Sequence, residues 1–367
     1  MQTNEHQVKL AIDAMGTDAG PAEIISGAAL AVENGVTAEL VFYGDESALG
    51  PLISAQPSLK NAQIEHAPDT VSMEDKPAHV LRRGRETSMW KAIAAVKNGD
   101  ASALVSGGNT GALMALSRHQ LRMINEVDRP AITALWPNPS GKSVVLDVGA
   151  NIEATDIQLV QYALMGEAFY KTLTDTPNPS VGVLNIGAEE QKGHAELHSA
   201  AQMLRFVVKD INFKGFVEGN DLSKGSVDVV VTDGFSGNIA LKSAEGAARL
   251  VGGWMKDAVK TNFLSKLGGL LMMRELKNLR KKIDPSSVNG GVFLGINGVV
   301  VKSHGGADAA GVASAIKIAS NLASHSFIED MAERVSKAMT DIEANIVADE
   351  DVHETKSKQD VIKKVAG

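Results

Sequence analysis

Short apolar runs rich in β-branched residues alternate with helix-length segments along most of this chain. The strand-like runs are VKLAID, AELVFYG, SALVSGG, AITALW, SVVLDVG, SVGVLNIG, VDVVVTDG and GVVVKSHG. Segments of helical length lie between several of them, over residues 22–34, 112–124, 157–170 and 192–209. Parallel strands need helical crossovers that cover both faces of a sheet. The alternation therefore predicts an α/β fold with a doubly wound, largely parallel sheet in three layers.

The composition supports a soluble globular protein and excludes several kinds of chemistry. Of 367 residues, 44% are hydrophobic and only 4% aromatic, so we expect a large core built from aliphatic side chains. The formal net charge of -8 argues against general nucleic-acid binding. The chain has no cysteine, which excludes disulfides, Cys-ligated zinc and a cysteine acyl-enzyme.

The N-terminal sequence MQTNEHQVKLAIDAMG does not have the basic and apolar regions of a signal peptide. No stretch reaches the ~18 consecutive apolar residues of a membrane-spanning helix. We therefore expect a cytoplasmic protein that is soluble or lies on a membrane surface.

Six strand-like runs end in a polar or small residue that is followed by a glycine-containing loop. Ligands of open α/β sheets bind beyond the carboxyl ends of the strands, where glycine and free helix N–H groups favour anions. We expect these loops to lie at one edge of the sheet and to form one anion site, although Gly, Asn and Asp are also ordinary turn residues. Besides Lys192, the candidate residues are Asp13, Gly16, Ser106, Gly108, Asn109, Thr110, Asp147, Asn151, Gly187, Asp233, Gly234, Ser236, Gly237 and His304.

The sequence does not match the familiar motifs of nucleotide-binding, hydrolase or metal sites. PSGKSVV ends like a P-loop, but Trp136 occupies the first glycine position and a strand follows. No strand–helix junction carries G-x-G-x-x-G. In GFSGN, Asn238 replaces the second glycine of a serine elbow, so Ser236 is a weak nucleophile candidate. His194 and His198 lack H-E-x-x-H spacing, and we predict neither a metal nor a cofactor.

Residues 260–282 form a basic amphipathic segment, with seven Lys or Arg residues and one Glu. It could be a helix that packs on the core, or a protruding helix that binds anionic lipid or an acidic protein. For the second interpretation, the contact residues would be Lys266, Leu267, Leu271, Arg274, Leu276 and Lys277. We predict a single α/β domain over residues 1–326, followed by a charged helix and a flexible tail over residues 327–367.

Six motifs occur in an order that identifies a family. They are AIDAMGTDAGP, SGGNTGALM, LDVGANIEA, LNIGAEEQKG, VVVTDGFSGNIALK and KSHGGAD. Together, over about Val8 to Phe327, they closely resemble the PlsX family of phosphate acyltransferases. The resemblance implies formation of acyl-phosphate from acyl-ACP and inorganic phosphate. It also implies a fold like that of isocitrate and isopropylmalate dehydrogenases, related to phosphotransacetylase.

The same resemblance implies partners and site residues. The enzyme would be a homodimer, peripherally bound to the membrane, that feeds phospholipid synthesis through a membrane glycerol-3-phosphate acyltransferase. Lys192 and Asn238 would be catalytic, and the strand-end residues would bind phosphate or the thioester. The sequence departs from the family at Thr17, usually glycine, at Gly107, usually alanine, and over Asn289–Gly298. A phosphotransacetylase-like enzyme using acyl-CoA and a non-catalytic lipid- or ACP-binding module remain alternatives.

Overall fold

Eleven strands form one sheet in the computed structural model, which describes residues 8–276 and 290–345. The strands are β1 (Lys9–Asp13), β2 (Glu39–Gly44), β3 (Gln63–His66), β4 (Ala103–Ser106), β5 (Ala131–Asn138), β6 (Gly141–Leu146), β7 (Ser180–Leu184), β8 (Asn212–Val217), β9 (Val229–Val231), β10 (Gly291–Leu294) and β11 (Val299–Lys302). Their order is β3-β2-β1-β4-β11-β10-β5-β6-β9-β7-β8. Antiparallel pairing is confined to β10 with its two neighbours and to β5 with β6. The prediction of a largely parallel sheet is confirmed.

Helices cover both faces of this sheet. They are α1 (Pro21–Glu33), α2 (Glu46–Ser54), α3 (Pro77–Arg83), α4 (Ser88–Asn98), α5 (Thr110–Leu121), α6 (Asp156–Thr174), α7 (Ala195–Gln202), α8 (Gly219–Lys224), α9 (Gly234–Lys260), α10 (Phe263–Leu271), α11 (Ala309–Ala323) and α12 (residues 327–345). Side chains like Thr155, which closes a capping box at the start of α6, explain where several helices begin.

Adjacent residues of one strand enter different cores. Leu10 and Ile12 of β1 join the core beneath α1, α6 and α11, whereas Ala11 faces the core formed with α4 and α5. A third cluster packs α8 and the start of α9 on β6 and β9. Each fully buried aliphatic side chain contributes roughly 1.5–3 kcal/mol, so burial on both faces explains how a chain poor in aromatics is stabilised.

The C-terminal helix α12 belongs to the main core. Phe327, Met331 and Val335 are buried, and the ring of Phe327 lies 6.1 Å from that of Phe169 on α6. Its apolar positions recur every three to four residues, which is the period of a helix packed along one face. The helix predicted from Phe327 is therefore integrated with the α/β unit, and the predicted tail over residues 346–367 lies outside the described residues.

Strand direction divides the six strand-end loops into two groups. Strands β1, β4 and β11 run parallel to one another, and β6, β9 and β7 also run parallel to one another. Three successive antiparallel pairs separate β11 from β6, so the second group runs opposite to the first. The carboxyl ends of β1, β4 and β11 form what we name the first edge, and those of β6, β9 and β7 form the second edge. The prediction that all six loops share one edge is wrong.

Candidate functional site

Asp147 organises the second edge from a fully buried position. Its Oδ1 accepts hydrogen bonds from the backbone N–H groups of Ile132, Gly149 and Ala150 at 2.9–3.1 Å. Its Oδ2 accepts from the Asn151 N–H at 2.7 Å. Burial raises the pKa of Asp147, and these hydrogen bonds oppose that effect. Asp147 thus shapes the loop after β6 rather than facing an anion.

The Asn151 side chain holds the same loop in place. Its Nδ2 donates to the Pro130 carbonyl at 2.7 Å, to the Tyr162 hydroxyl at 2.9 Å and to Asp147 Oδ2 at 3.0 Å. An amide nitrogen has two hydrogens, which these acceptors already engage. Asn151 therefore serves the loop and has no free donor for a ligand.

Asp233 caps the start of α9. It accepts hydrogen bonds from the Ser236 N–H at 2.8 Å and from the Ser236 hydroxyl at 2.9 Å. The hydroxyl of Ser236 is thus bound to a carboxylate, as expected of a helix-cap serine rather than of an activated nucleophile. The N–H groups of Phe235 and Gly237 also donate within the chain, to the carbonyls of Ile152 and Asp233. The helix start therefore offers fewer free backbone donors than the sequence suggested.

Two glycines bring α9 directly against the loop after β6. A Cβ added at Gly234 would overlap the carbonyl oxygen of Asn151, and one added at Gly237 would overlap that of Asp147. This close approach sets the next residue, Asn238, over Gly149: its Nδ2 would lie 2.6 Å from a Cβ built there. Within the described part of the chain, the exposed Asn238 amide makes no hydrogen bond. It is an available donor at the second edge.

Lys192 supplies a positive charge at the same edge. Its Nζ lies 2.9 Å from Glu189 Oε1, and its side chain is 49% exposed. Glu189 raises the pKa of Lys192, so the amine remains protonated at neutral pH. Asn185 donates to the Lys192 carbonyl at 2.7 Å, and a Cβ at Gly187 would lie 2.9 Å from Lys192 Nζ. Since β9 lies between β6 and β7, Lys192 and Asn238 follow adjacent strands.

The first edge is built around the buried carboxylate of Asp13. It accepts hydrogen bonds from the hydroxyls of Ser88 at 2.7 Å and Ser106 at 2.6 Å. Ser106 Oγ in turn accepts from the Gly108 N–H at 3.2 Å. Burial raises the pKa of Asp13, and the two serines, together with the charge of Lys302, counteract this. Asp13 therefore joins β1, β4 and α4.

Lys302, one of the few basic residues near the strand-end loops, lies buried at the end of β11. Its Nζ donates to the carbonyl oxygens of Gly107, at 3.2 Å, and Ser303. Burial lowers the pKa of Lys302 to about 8, against the opposing charges of Asp13 and Asp18. The signal was its position directly after three buried valines, where a solvated lysine would be unusual.

The remaining candidates at the first edge differ in their exposure and in their contacts with the protein. The Asn109 amide donates to the carbonyls of Met73 at 2.8 Å and Asp75 at 3.0 Å, so it anchors a neighbouring loop. Thr110 is exposed at the start of α5. Gly16 has φ 72°, a left-handed conformation that favours glycine.

His304 shows that α9 connects the two edges. Burial lowers its pKa, and the charges of Lys302 and Lys242 lower it further. Glu245, one turn further along α9, acts in the opposite direction. Residues 234–245 span ~18 Å of helix, so α9 begins at the second edge and reaches the surroundings of His304.

Thr17 and Gly107, at the first edge, are packed against each other. A Cβ at Gly107 would lie 2.7 Å from Thr17 Cγ2, and the buried Thr17 hydroxyl has no partner among the described residues. We expect Gly107→Ala to lower the free energy of unfolding by about 1–3 kcal/mol, because overpacking forces the loops apart. Adding Thr17→Gly should restore part of the loss in chemical denaturation.

Gly50→Ala is the matched control for this prediction, because a Cβ at Gly50 meets no atom within 4 Å. That variant should keep at least the wild-type stability. Wild-type stability in Gly107→Ala would contradict the overpacking argument.

The described part of the basic segment, residues 260–276, runs from the end of α9 through the exposed helix α10. No residue of α10 is buried, and Leu264 and Leu271 are 76% and 81% exposed. Lys266, Leu267 and Arg274 are exposed as well, whereas Leu276 is partly buried. The interpretation that α10 packs its apolar face on the core is therefore wrong. The predicted contact Lys277 lies outside the described residues.

No helix within residues 8–276 and 290–345 combines the length and the apolar content needed to cross a membrane.

Comparisons with known proteins agree with the order of motifs. A family described as "Fatty acid synthesis protein" matches residues 8–330. A phosphate acyltransferase from Maricaulis maris is 47% identical over 343 residues, covering 92% of this chain and 98% of the relative. One from Parvibaculum lavamentivorans is 51% identical over 336 residues, covering 91% of each chain.

Solved structures show the same architecture at much lower sequence identity. The EutD phosphotransacetylase from Staphylococcus aureus has a TM-score of 0.58 at 15% identity, covering 87% of this chain and 95% of its own. A phosphotransacetylase from Streptococcus pyogenes has a TM-score of 0.59 at 16% identity, with 87% and 94% coverage. At such identities the likeness concerns the fold alone.

Proposed function

The chain belongs to the fatty acid synthesis protein family, and we propose that it forms acyl-phosphate from fatty acyl-ACP and inorganic phosphate, a reaction that feeds phospholipid synthesis. The observation that carries the proposal is the 47–51% identity, over nine-tenths of the chain, to proteins named phosphate acyltransferase. The chain is an acyltransferase, and we propose that its acyl donor is acyl-ACP.

In this reaction a phosphate oxygen attacks the thioester carbonyl carbon. A tetrahedral oxyanion forms, the C–S bond then breaks, and the carrier leaves as a thiolate. A thiolate is a good leaving group, so strong general-acid assistance is not required. The enzyme's main task is to hold two anionic partners together, which can contribute up to ~7–11 kcal/mol.

Lys192 and Asn238 are the residues that we assign to this task. The protonated, half-exposed Lys192 would neutralise phosphate charge, and the free Asn238 amide would donate to phosphate or to the oxyanion. A preorganised oxyanion donor contributes about 3–4 kcal/mol. Asp147 and Asp233 position the loop after β6 and the start of α9, and thereby Asn238, because their oxygens already accept hydrogen bonds from the protein.

Direct transfer in a ternary complex is the mechanism that we favour. The sequence has no cysteine, and the Ser236 hydroxyl donates to Asp233 rather than to a histidine base. Initial rates with both substrates varied should therefore give intersecting double-reciprocal plots. Parallel plots, as expected of an acyl-enzyme, would contradict direct transfer.

One alternative, which follows from the relation of the family to phosphotransacetylase, is an enzyme that uses acyl-CoA. The two hypotheses can be distinguished by supplying phosphate with acyl-ACP in one reaction and with acyl-CoA in another. In each reaction, hydroxylamine traps any acyl-phosphate that forms. Product with ACP alone supports the proposal, and product with CoA supports the alternative. A non-catalytic lipid- or ACP-binding module would form no product with either.

The finer fold and assembly proposals follow from the family resemblance. We place the α/β unit over residues 1–326, completed by α12, with the isocitrate and isopropylmalate dehydrogenases. The enzyme would be a cytoplasmic homodimer that lies on the membrane surface. There it would deliver acyl-phosphate to the membrane glycerol-3-phosphate acyltransferase.

Peripheral membrane association is supported by the exposed apolar side chains of α9 and α10 beside basic residues. Burying one leucine in the bilayer interface contributes roughly 1.5–3 kcal/mol. Leu271→Glu combined with Leu276→Glu should therefore reduce flotation with acidic liposomes by at least about tenfold.

Phe206→Glu is the control for the flotation experiment, because Phe206 is 77% exposed but lies outside the basic segment. It should float like the wild type. Unchanged flotation of the double variant would contradict membrane binding through this surface.

A further inference from the structure

A second basic surface lies on α3 and the turn that follows it. Residues 76–85 read KPAHVLRRGR, with four Lys or Arg residues and no acid. Lys76, Arg82, Arg83 and Arg85 are all exposed. We call these four residues the α3 basic surface. Such a concentration of charge stands out in a chain whose formal net charge is -8.

The neighbouring carboxylates form no ion pair with this surface in the part of the chain that the structure describes. Glu74 accepts a hydrogen bond from the Ser72 hydroxyl, and Asp75 accepts from the Ser72 N–H at 2.8 Å. Glu86 forms an ion pair with Lys91 at 2.9 Å. In the part of the chain that the structure describes, no carboxylate lies within ion-pair distance of the four cations. Their positive charge is therefore available to a partner.

The surface is attached firmly to the first edge. The Asn109 amide binds the carbonyls of Met73 and Asp75, just before α3. Just after it, the Thr87 hydroxyl donates to the Gly84 carbonyl at 2.6 Å, and the Ser88 hydroxyl donates to Asp13. These contacts hold the arginine-bearing segment against the loops after β1 and β4. A preorganised surface lowers the cost of ordering on binding.

We propose that the α3 basic surface is the docking site of the acidic carrier protein that presents the acyl thioester. The proposal rests on the proposed function, which requires a thioester presented at the first edge to reach Lys192 and Asn238 at the second edge. Helix α9, which carries Asn238, connects the two edges. Arginine binds carboxylates through a planar pair of N–H donors, and complementary charge speeds association. The surface has no exposed large hydrophobic side chain, in contrast to α10, so it suits an acidic protein better than a lipid surface.

The test variant carries Arg82→Gln, Arg83→Gln and Arg85→Gln. With acyl-ACP, its KM should rise by about tenfold or more and depend less on salt than the wild-type KM, because attraction between the charged surfaces is lost. With a small acyl-pantetheine thioester, kcat and KM should remain at wild-type values. A variant with the same arginines changed to lysine should recover part of the affinity for acyl-ACP.

The control variant removes the same amount of charge elsewhere, through Lys60→Gln, Lys97→Gln and Lys214→Gln at exposed positions. It should bind acyl-ACP like the wild type. Binding of holo-ACP, followed by fluorescence anisotropy, tests docking even if acyl-phosphate is not the product. Equal ACP affinity in the arginine variant and the wild type would overturn the proposal. So would loss of liposome flotation with retained ACP binding, which would assign the surface to lipid.

Discussion

Asn238→Ala should lower kcat by about 10²–10³-fold, which is the typical effect of removing one preorganised oxyanion donor. The reason is geometric. The close contact of Gly234 and Gly237 with the loop after β6 holds Asn238 over Gly149, where its amide makes no hydrogen bond within the described chain. Because Asn238 is exposed, the variant should fold normally, and its circular dichroism and unfolding midpoint should match the wild type.

Two further variants sharpen this expectation. Asn238→Asp preserves the shape but replaces a donor with an anion, so it should be at least as defective as Asn238→Ala. Asn220→Ala removes another exposed asparagine, on α8, and should leave the rate of acyl-phosphate formation unchanged. Wild-type turnover in Asn238→Ala would remove this residue from the site.

Lys192→Ala should lower turnover by more than about tenfold, because a charge-assisted hydrogen bond contributes ~1.5–3 kcal/mol. The loss should appear mainly as weaker use of phosphate, measured as kcat/KM at varied phosphate concentration. The surface position of the side chain and its ion pair with Glu189 make a folding defect unexpected, since such pairs contribute little stability.

Lys224→Ala is the matched control, since Lys224 is also exposed and pairs with Asp221 three residues earlier at 3.0 Å. It should behave like the wild type. Near-normal turnover in Lys192→Ala, with the control also normal, would contradict the proposal that Lys192 binds phosphate.

The layered fold could be predicted because its signals are local. Apolar β-branched runs and the helices between them can be read from neighbouring residues, and Ser180–Leu184 and Val229–Val231 are strands as expected. Strand order and direction depend on long-range pairing, which no local pattern reports. For this reason we predicted from the sequence that all six strand-end loops share one edge. In the structure, the antiparallel pairing of β10 with its two neighbours and of β5 with β6 reverses the direction of the second half of the sheet.

The polar residues of the candidate site could be found, but their roles could not. Asn109, Asn151 and Asn238 all follow strands and look alike in sequence. In the structure the first two amides are engaged by the protein, and only the third is free within the described chain. The burial of Lys302 could not be predicted either. Its amine donates to the carbonyls of Gly107 and Ser303, and Gly107 belongs to another strand-end loop. Partners of polar groups are set by tertiary packing.

We propose that this chain transfers a fatty acyl group from its carrier protein to phosphate. The most direct measurement supplies purified enzyme with fatty acyl-ACP and inorganic phosphate, and traps acyl-phosphate as its hydroxamate. Hydroxamate should form only when enzyme, phosphate and acyl-ACP are all present, with release of one thiol for each acyl group trapped. Absence of product with acyl-ACP, while acyl-CoA is converted, would contradict the proposal.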